Sequence, residues 1–178
     1  ACARAKTPAR YDQTQYYSLA PERALSMVSL DLFTGLPTDP EGNHTLLVII
    51  DNFSRWCELI PLGSQGTGNI GTREVANAVL KHWITHYGTP DIMLSDKGPQ
   101  FVSDLWKELG RSIGYKVQVA PPDAHWRVAR PERLNRFLKE RLKIWKSGRY
   151  RHWTDVLPFM TMAHRFLPLP RLHMSPFE

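Results

Sequence analysis

Three acidic side chains, far apart along the chain, have the chemistry to hold metal ions. Asp31 lies within a predicted strand, Asp96 follows another, and Glu132 begins a predicted helix, with 35 residues between Asp96 and Glu132. Magnesium prefers hard oxygen ligands and keeps several waters, so two or three converging carboxylates with open positions suit it. Two such ions about 4 Å apart can activate a nucleophile and stabilise a leaving oxygen on phosphorus. Taken singly, each residue is more simply a turn cap or a charge at a helix start.

A basic face on the predicted helix distinguishes Glu132 from an ordinary helix-start glutamate. Between Arg127 and Arg151 the chain has ten basic and two acidic residues, a formal charge of +8 in a chain whose total is +6. One face of the helix carries Arg136, Lys139, Lys143 and Lys146, and the other carries Leu134, Phe137, Leu138, Leu142 and Trp145. Lysine and arginine on one face supply sequence-independent affinity for a phosphate backbone. The pattern therefore favours a nucleic-acid partner over a merely solvated face.

Composition excludes several classes of protein. The chain has 178 residues, of which 42% are hydrophobic and 22% charged, enough apolar material for one folded domain. Two cysteines exclude a disulfide scaffold. The longest apolar run near the middle, residues 46–50, is too short to span a membrane. The first residues lack the apolar segment of a signal peptide and an initiator Met, so we expect a fragment of a longer protein.

Hydrophobic periodicity and turn residues predict an α/β fold. We expect strands at residues 27–33, 45–50, 55–62, 91–95 and 115–120, and helices at about 72–88, 103–114, 131–145 and 153–166. Thr72 and Ser103 are expected to cap the first two helices, and Pro158 to delay or kink the last. Three meandering strands followed by alternating helices and strands indicate an RNase H-like fold. We expect a five-stranded mixed sheet, three antiparallel strands and then parallel ones, flanked by helices.

Six segments carry short motifs that occur in the same order in a known family. They are residues 29–37 (SLDLFTGLP), 46–56 (LLVIIDNFSRW), 87–90 (YGTP), 95–101 (SDKGPQF), 132–136 (ERLNR) and 175–178 (SPFE). Together they resemble the integrase catalytic core of retroviruses and LTR retrotransposons, most of all that of gypsy-class elements. The resemblance covers nearly the whole chain from about residue 25.

The resemblance implies an activity and a set of catalytic residues. It implies that Asp31, Asp96 and Glu132 form the catalytic and metal-binding triad, which holds two Mg²⁺ or Mn²⁺ ions. The implied enzyme is a DNA integrase, a polynucleotidyl transferase with endonuclease activity, and part of a larger Pol polyprotein. It would trim the 3′ ends of the element's DNA and join them to target DNA.

The resemblance also implies partners. Asn135, Arg136 and Lys139 fall where the family's helix meets DNA, and Lys143 and Lys146 continue the same basic face. The implied partners are double-stranded DNA, from the element ends and the target, and further copies of the chain in a dimer or higher oligomer. No membrane partner is expected, and the expected location is nuclear.

The domain organisation follows from the same comparison. Residues 1–23 are expected to be a linker and residues 24–178 the catalytic core domain. Cys2 is similar to the last ligand of the family's His-His-Cys-Cys zinc module, whose other ligands would lie upstream. A single cysteine does not hold a zinc ion.

The loop before Glu132 departs from the family pattern. The family has His-Pro-Gln followed by small residues, whereas residues 125–131 read HWRVARP. We expect Trp126 to stack on bases and Arg127 and Arg130 to contact phosphates. The alternative is a catalytically inactive, domesticated copy that still binds nucleic acid.

Other interpretations remain open on the residues alone. A plain RNase H-like nuclease would hydrolyse a hybrid without joining. The GxGxxG pattern at residues 66–71 is typical of a dinucleotide site, but the strand before it carries Glu58 and Pro61, which favours a loose loop. We interpret Asp51 as a turn cap and Cys57 as a small core residue rather than a nucleophile.

Overall fold

The centre of the fold is a mixed five-stranded sheet. A computed structural model of the chain describes residues 21–63, 70–119, 138, 140, 150–168 and 174–177. The strands are β1 (Met27–Phe33), β2 (Asn43–Asp51), β3 (Cys57–Gly63), β4 (Ile92–Ser95) and β5 (Lys116–Val119), in the order β3-β2-β1-β4-β5. β2 pairs antiparallel with β1 and β3, whereas β4 pairs parallel with β1 and β5. This is the predicted arrangement of three antiparallel strands followed by parallel ones.

Helices follow the strands in the predicted order. They are α1 (Thr72–Val79), a π-helical turn (Leu80–Ile84), α2 (Thr85–Tyr87), α3 (Pro99–Val102), α4 (Asp104–Ile113), a 3₁₀ turn (Thr154–Val156) and α5 (Leu157–Phe166). Pro158 lies in the first turn of α5, so the last helix begins late, as predicted. Of the helix predicted at residues 131–145, the structure describes only Leu138 and Glu140, and both are helical.

Two apolar cores cover the two faces of the sheet. The first core packs the sheet against α1 to α4 and includes Val28, Leu30, Leu47, Ile49, Val79, Trp83, Met93, Phe101, Trp106 and Tyr115. The second core lies on the opposite face and includes Leu46, Val48, Ile50, Cys57, Leu59, Leu138, Trp153, Val156, Leu157 and Met160. β2 contributes alternate residues to both cores, which explains why residues 46–50 form a continuous apolar run.

The predicted helix boundaries are largely confirmed. The Ser103 hydroxyl accepts the Trp106 N–H at the start of α4, and Gly114 ends this helix at φ 96°. Gly88 ends α2 at φ 93°. The prediction that Thr72 caps α1 is wrong, because Gly71 is the cap residue and the Thr72 hydroxyl donates to Ser103 Oγ at 3.0 Å.

One predicted core residue lies on the surface. Apolar periodicity predicts Leu105 on the inward face of this helix with Trp106, Leu109 and Ile113, but the Leu105 side chain is 50% exposed whereas Trp106 is fully buried. Adjacent helical residues are about 100° apart around the axis, so they do not share a face. The bulkier Trp106 occupies the inward position.

The connection between β1 and β2 is bound to the C-terminal part of the chain. Trp153 Nε1 donates to the Pro37 carbonyl at 2.8 Å. Burial raises the pKa of the neighbouring Asp39 carboxyl, but hydrogen bonds from Asn43, Thr154 and Glu41 outweigh burial and leave this pKa below its usual value. These contacts fix the chain just after β1 against the second core.

Within the described parts of residues 21–177, none of the helices is both long enough and apolar enough to cross a membrane.

Leu138 should be essential for the stability of the second core. Its side chain is completely buried there. Leu138→Ala should lower the free energy of unfolding by about 2–5 kcal/mol, through lost burial and the cavity left behind. Leu105→Ala, at a half-exposed leucine, should change it by about 0.5 kcal/mol or less. Urea denaturation of both variants measures the difference, and equal effects would contradict the position of Leu138.

Candidate active site

Asp31 lies on the sheet face that the second core covers. Its register partner on β2 is Val48, a second-core residue, and directly opposed residues of an antiparallel pair share a face. Its neighbour Leu30 points the other way, into the first core. Asp31 is half-buried, and its Oδ1 accepts the Leu32 N–H at 2.8 Å.

Asp96 follows the last residue of β4, next to Asp31. The parallel pairing of β1 with β4 matches Met27 with Ile92 and Ser29 with Leu94. Continued by two residues, this register sets Asp31 opposite Asp96, and neighbouring strands lie about 4.8 Å apart. Strand alternation gives Asp96 the same face as Leu94, as it gives Asp31 the face of Ser29. The two carboxylates therefore share one end and one face of the sheet.

The turn after β4 orients the Asp96 side chain. Asp96 is exposed, and its Oδ1 accepts the Gly98 N–H at 2.8 Å. The Gly98 carbonyl in turn accepts the Phe101 N–H at 2.9 Å, at the start of α3. Gln100 Nε2 donates to the Ile70 carbonyl at 3.0 Å and ties this turn to the segment before α1. A local hydrogen-bond network thus holds one oxygen of the carboxylate.

The third predicted acid, Glu132, lies outside the described residues. Leu138, six positions further on, is helical and buried in the second core. The second core covers the face on which Asp31 lies, so Leu138 is on the same side of the sheet as Asp31. The catalytic assignment of all three acids stays a prediction.

The predicted DNA-contacting residues also lie outside the described part of the chain. They are Trp126, Arg127, Arg130, Asn135, Arg136, Lys139, Lys143 and Lys146. Residues 1–20, with the predicted linker and Cys2, and most of the GxGxxG segment at residues 66–71 fall outside it as well. The domain boundaries predicted at residues 23 and 24 stay a prediction.

The two aspartates fit a hard divalent cation in their chemistry. Both offer carboxylate oxygens, and the exposed Asp96 leaves room for water or substrate oxygens. Elsewhere in the described ranges no three or more His, Cys, Asp or Glu side chains form a group that could hold a metal ion. A complete site at this end of the sheet would therefore need a ligand from outside them, and Glu132 is the predicted one.

Asp51 is a structural residue and lies apart from the candidate site. Its carboxylate is buried and accepts the Leu25 N–H at 3.1 Å, the Ser54 N–H at 2.7 Å and the Ser54 hydroxyl at 2.6 Å. Its register partner Val28 belongs to the first core, so Asp51 lies on the face opposite Asp31. The carboxylate stabilises the turn between β2 and β3, as the sequence suggested.

Cys57 is a core residue. Its side chain is fully buried in the second core, and burial raises the pKa of its thiol to about 12. Because the thiolate is the nucleophilic form of cysteine, this group is inert at neutral pH. The interpretation of Cys57 as a packing residue is confirmed.

The contact between Gly98 and Asp96 is not among the sequence predictions. The resemblance includes residues 95–101 but implies no role for the glycine. The signal was present in the sequence, because an Asp two residues before a Gly is typical of a turn in which the side chain accepts the following backbone N–H.

Comparison with known proteins gives the family. The integrase core domain family matches residues 21–125. The Gag-Pol polyprotein of Walleye dermal sarcoma virus is 34% identical over 134 residues, 74% of this chain and 7% of that protein. The Transposon Tf2-3 polyprotein of Schizosaccharomyces pombe is 24% identical over 157 residues, 88% of this chain and 11% of that protein. The chain thus spans about a tenth or less of these relatives.

Solved structures give the same fold. The HTLV-2 integrase catalytic core domain in complex with magnesium matches in its trimeric form with a TM-score of 0.65 and in its dimeric form with 0.66. Each is 17% identical in sequence, and the matches cover 85% and 86% of this chain and 93% and 94% of the solved chains. At this identity the likeness establishes the RNase H-like fold alone.

The family match over more than half of the chain, the polyprotein relatives and the shared fold agree with the motifs in residues 29–37 and 95–101. The chain belongs to the integrase core domain family of retroviruses and LTR retrotransposons.

Proposed function

We propose that this chain is the catalytic core of a retrotransposon integrase that processes the 3′ ends of element DNA and joins them to target DNA. It acts on two phosphodiester bonds, first one in the element DNA and then one in the target DNA. Water attacks at the element end first, and the freed 3′-hydroxyl then attacks the target strand in line. Both steps exchange one oxygen substituent on phosphorus for another, so no covalent enzyme intermediate is needed.

Asp31, Asp96 and Glu132 would hold two Mg²⁺ or Mn²⁺ ions. When bound, the ions supply activation of the attacking oxygen and stabilisation of charge on the leaving oxygen. The protein's part is to hold the carboxylates at one end of the sheet, with Asp96 open to solvent and Asp31 fixed within a central strand.

One observation carries the proposal. The register of β1 and β4, continued two residues beyond the last pair Ser29–Leu94, sets Asp31 opposite Asp96 although 64 residues separate them in the chain. Carboxylates on adjacent strands can share one divalent cation, which also offsets their mutual repulsion. Their convergence at one end of the sheet supports a metal-dependent role.

Removing any one of the three carboxylates should abolish joining. In Asp31→Asn, Asp96→Asn and Glu132→Gln, Mg²⁺-dependent strand transfer should fall at least about 10³-fold, because electrostatic stabilisation of the reacting oxygens is lost. DNA affinity should stay within about twofold, since phosphate contacts come from other residues. A gel assay of hydrolysis and joining on short duplexes measures the first effect, and fluorescence anisotropy the second.

Asp104→Asn is the matched control, because Asp104 is a fully exposed carboxylate at the start of α4. It should join DNA like the unchanged protein. Retained joining in Glu132→Gln would refute the assignment of that residue, and hydrolysis with no joined product in the unchanged protein would favour a plain nuclease.

The second candidate is a catalytically inactive domain that binds nucleic acid. The loop at residues 125–131 supports it, because Trp126, Val128 and the arginines replace residues that are small in the family. If the unchanged chain joins no DNA with either metal, a variant with small residues restored at positions 126–129 tests whether the loop is the cause. Regained joining would mean that only the loop has lost its function.

The basic face of the helix after Glu132 is our proposed phosphate contact. Lys143 and Lys146 extend the row that Arg136 and Lys139 begin. Such contacts position the protein on DNA and carry no sequence information. Since the target would be chromosomal DNA, we further propose that the protein acts in the nucleus.

Neutralising part of this face should weaken the salt dependence of binding. Each lost phosphate contact lowers the slope of log K against log salt by about 0.9, so Lys143→Ala/Lys146→Ala should lower it by about 1.8. Lys107→Ala/Lys116→Ala removes the same charge from exposed sites elsewhere and should leave the slope nearly unchanged. Anisotropy titrations over a range of salt concentrations compare them, and equal slopes for the two double variants would contradict the proposed face.

We also propose that the chain self-associates through α5. Phe159, Met162 and Phe166 follow one side of this helix and are 55%, 55% and 54% exposed. On its other side, Leu157 and Met160 are buried in the second core. An apolar row this exposed is typical of an interaction surface, and the HTLV-2 core domain was solved in dimeric and trimeric forms. A second copy of the chain is therefore the proposed occupant.

Charges on this row should dissociate the oligomer. Phe159→Glu/Met162→Glu should shift the chain from dimer or larger species to monomer in sedimentation velocity, because carboxylates would be buried without partners. Val102→Glu/Leu105→Glu changes residues that are 40% and 50% exposed on α3 and α4, and it should leave the assembly intact. A monomeric unchanged chain, or an unaffected assembly in the α5 variant, would refute this surface.

A further inference from the structure

In the turn after β4, the Gly98 N–H donates to Asp96 Oδ1, and glycine leaves the space beside this oxygen free of a side chain. A Cβ atom added at Gly98 would lie 2.9 Å from Asp96 Oδ1, 3.1 Å from Gln100 Oε1 and 3.4 Å from Phe101 Cδ2. Real Cβ atoms essentially never come within 3.0 Å of a heavy atom. Any side chain at this position therefore requires one of its neighbours to move.

Two of these neighbours are restrained. Phe101 is 1% exposed and belongs to the first core. Gln100 is held by its hydrogen bond to the Ile70 carbonyl, and Ile70 is itself buried. The Gly98 carbonyl accepts the Phe101 N–H, so the glycine backbone is restrained as well.

The exposed Asp96 carboxylate is the neighbour free to move, and moving it would break its hydrogen bond to the Gly98 N–H. Gly98 has φ −54° and ψ 140°, values open to any residue, so backbone conformation does not require glycine here. The requirement comes from the space that the carboxylate occupies.

We propose that Gly98 is a positioning residue for the metal-binding role of Asp96. Its N–H holds Oδ1, and its missing side chain leaves the carboxylate in the orientation that this hydrogen bond sets. This inference rests on the proposed function, because it assumes that Asp96 binds a divalent cation. A residue that orients a metal ligand typically contributes a factor of 10–100 to metal affinity or activity.

Gly98→Ala tests the inference, with Gly71→Ala as its matched control. A Cβ at Gly71 would also meet a carboxylate, at 2.8 Å from Glu74 Oε2, but Glu74 has no part in the proposed site. Mn²⁺ binding to the 178-residue chain without DNA is measured by electron paramagnetic resonance. Gly98→Ala should weaken it at least about tenfold, whereas Gly71→Ala should leave it unchanged. Unchanged Mn²⁺ affinity in folded Gly98→Ala would overturn the inference.

A second measurement needs no glycine variant and keeps the test valid if Gly98→Ala fails to fold. In the unchanged chain, Mg²⁺ should shift the amide resonance of Gly98, because this N–H is bonded to the proposed ligand. The shift should vanish in Asp96→Asn. A Gly98 amide that does not respond to Mg²⁺ in the unchanged chain would overturn the inference.

The outcomes for the two proposals are distinct. If the unchanged chain binds Mn²⁺ and joins DNA while Gly98→Ala does both equally well, only the role of Gly98 fails. If the unchanged chain neither binds Mn²⁺ nor joins DNA, the proposed function fails and the inference fails with it.

Discussion

The parallel pairing of β1 with β4 is the constraint on which the proposed chemistry depends, because it alone makes neighbours of Asp31 and Asp96. A parallel pair needs a long crossover connection rather than a tight turn. Here α1, the π-helical turn and α2 lie between β3 and β4 and pack in the first core. The burial of that core stabilises the register, and the register in turn sets two like charges side by side. Apolar packing on one face of the sheet thus determines where two carboxylates lie on the other.

The two cores have different relations to the site. The first core fixes the strands and holds Phe101, which anchors the turn after Asp96. The second core lies on the face of the aspartates and binds Leu138, together with Trp153 and the connection that follows β1. The positions of the two aspartates are therefore a property of the sheet, whereas Leu138 is positioned by packing in the second core.

Most of the fold could be predicted from sequence because its signals are local. β1 begins and ends where the apolar pattern predicts, and glycines at positions 88 and 114 end helices as expected. The errors arise where tertiary packing decides. Leu105 and Trp106 compete for one inward position, whereas Trp83 is buried even though the helix forms a π-helical turn around it. The hydroxyl of Thr72 donates to Ser103, the residue that caps α4, instead of capping its own helix.

The site was less accessible to sequence reasoning because strand register is not a local property. Taken singly, Asp31 and Asp96 resemble ordinary turn residues; the basic face that follows Glu132, and then the resemblance, group the three acids. The loop at residues 125–131 lies outside the described residues, and its effect on activity is a separate question. Changes in such a loop can alter activity while the sheet, its register and the facing aspartates persist. Persistence of the fold is therefore compatible with both an active enzyme and an inactive descendant. Both would keep the two facing aspartates, so the joining of DNA, rather than a response to Mg²⁺, is the property on which the two differ.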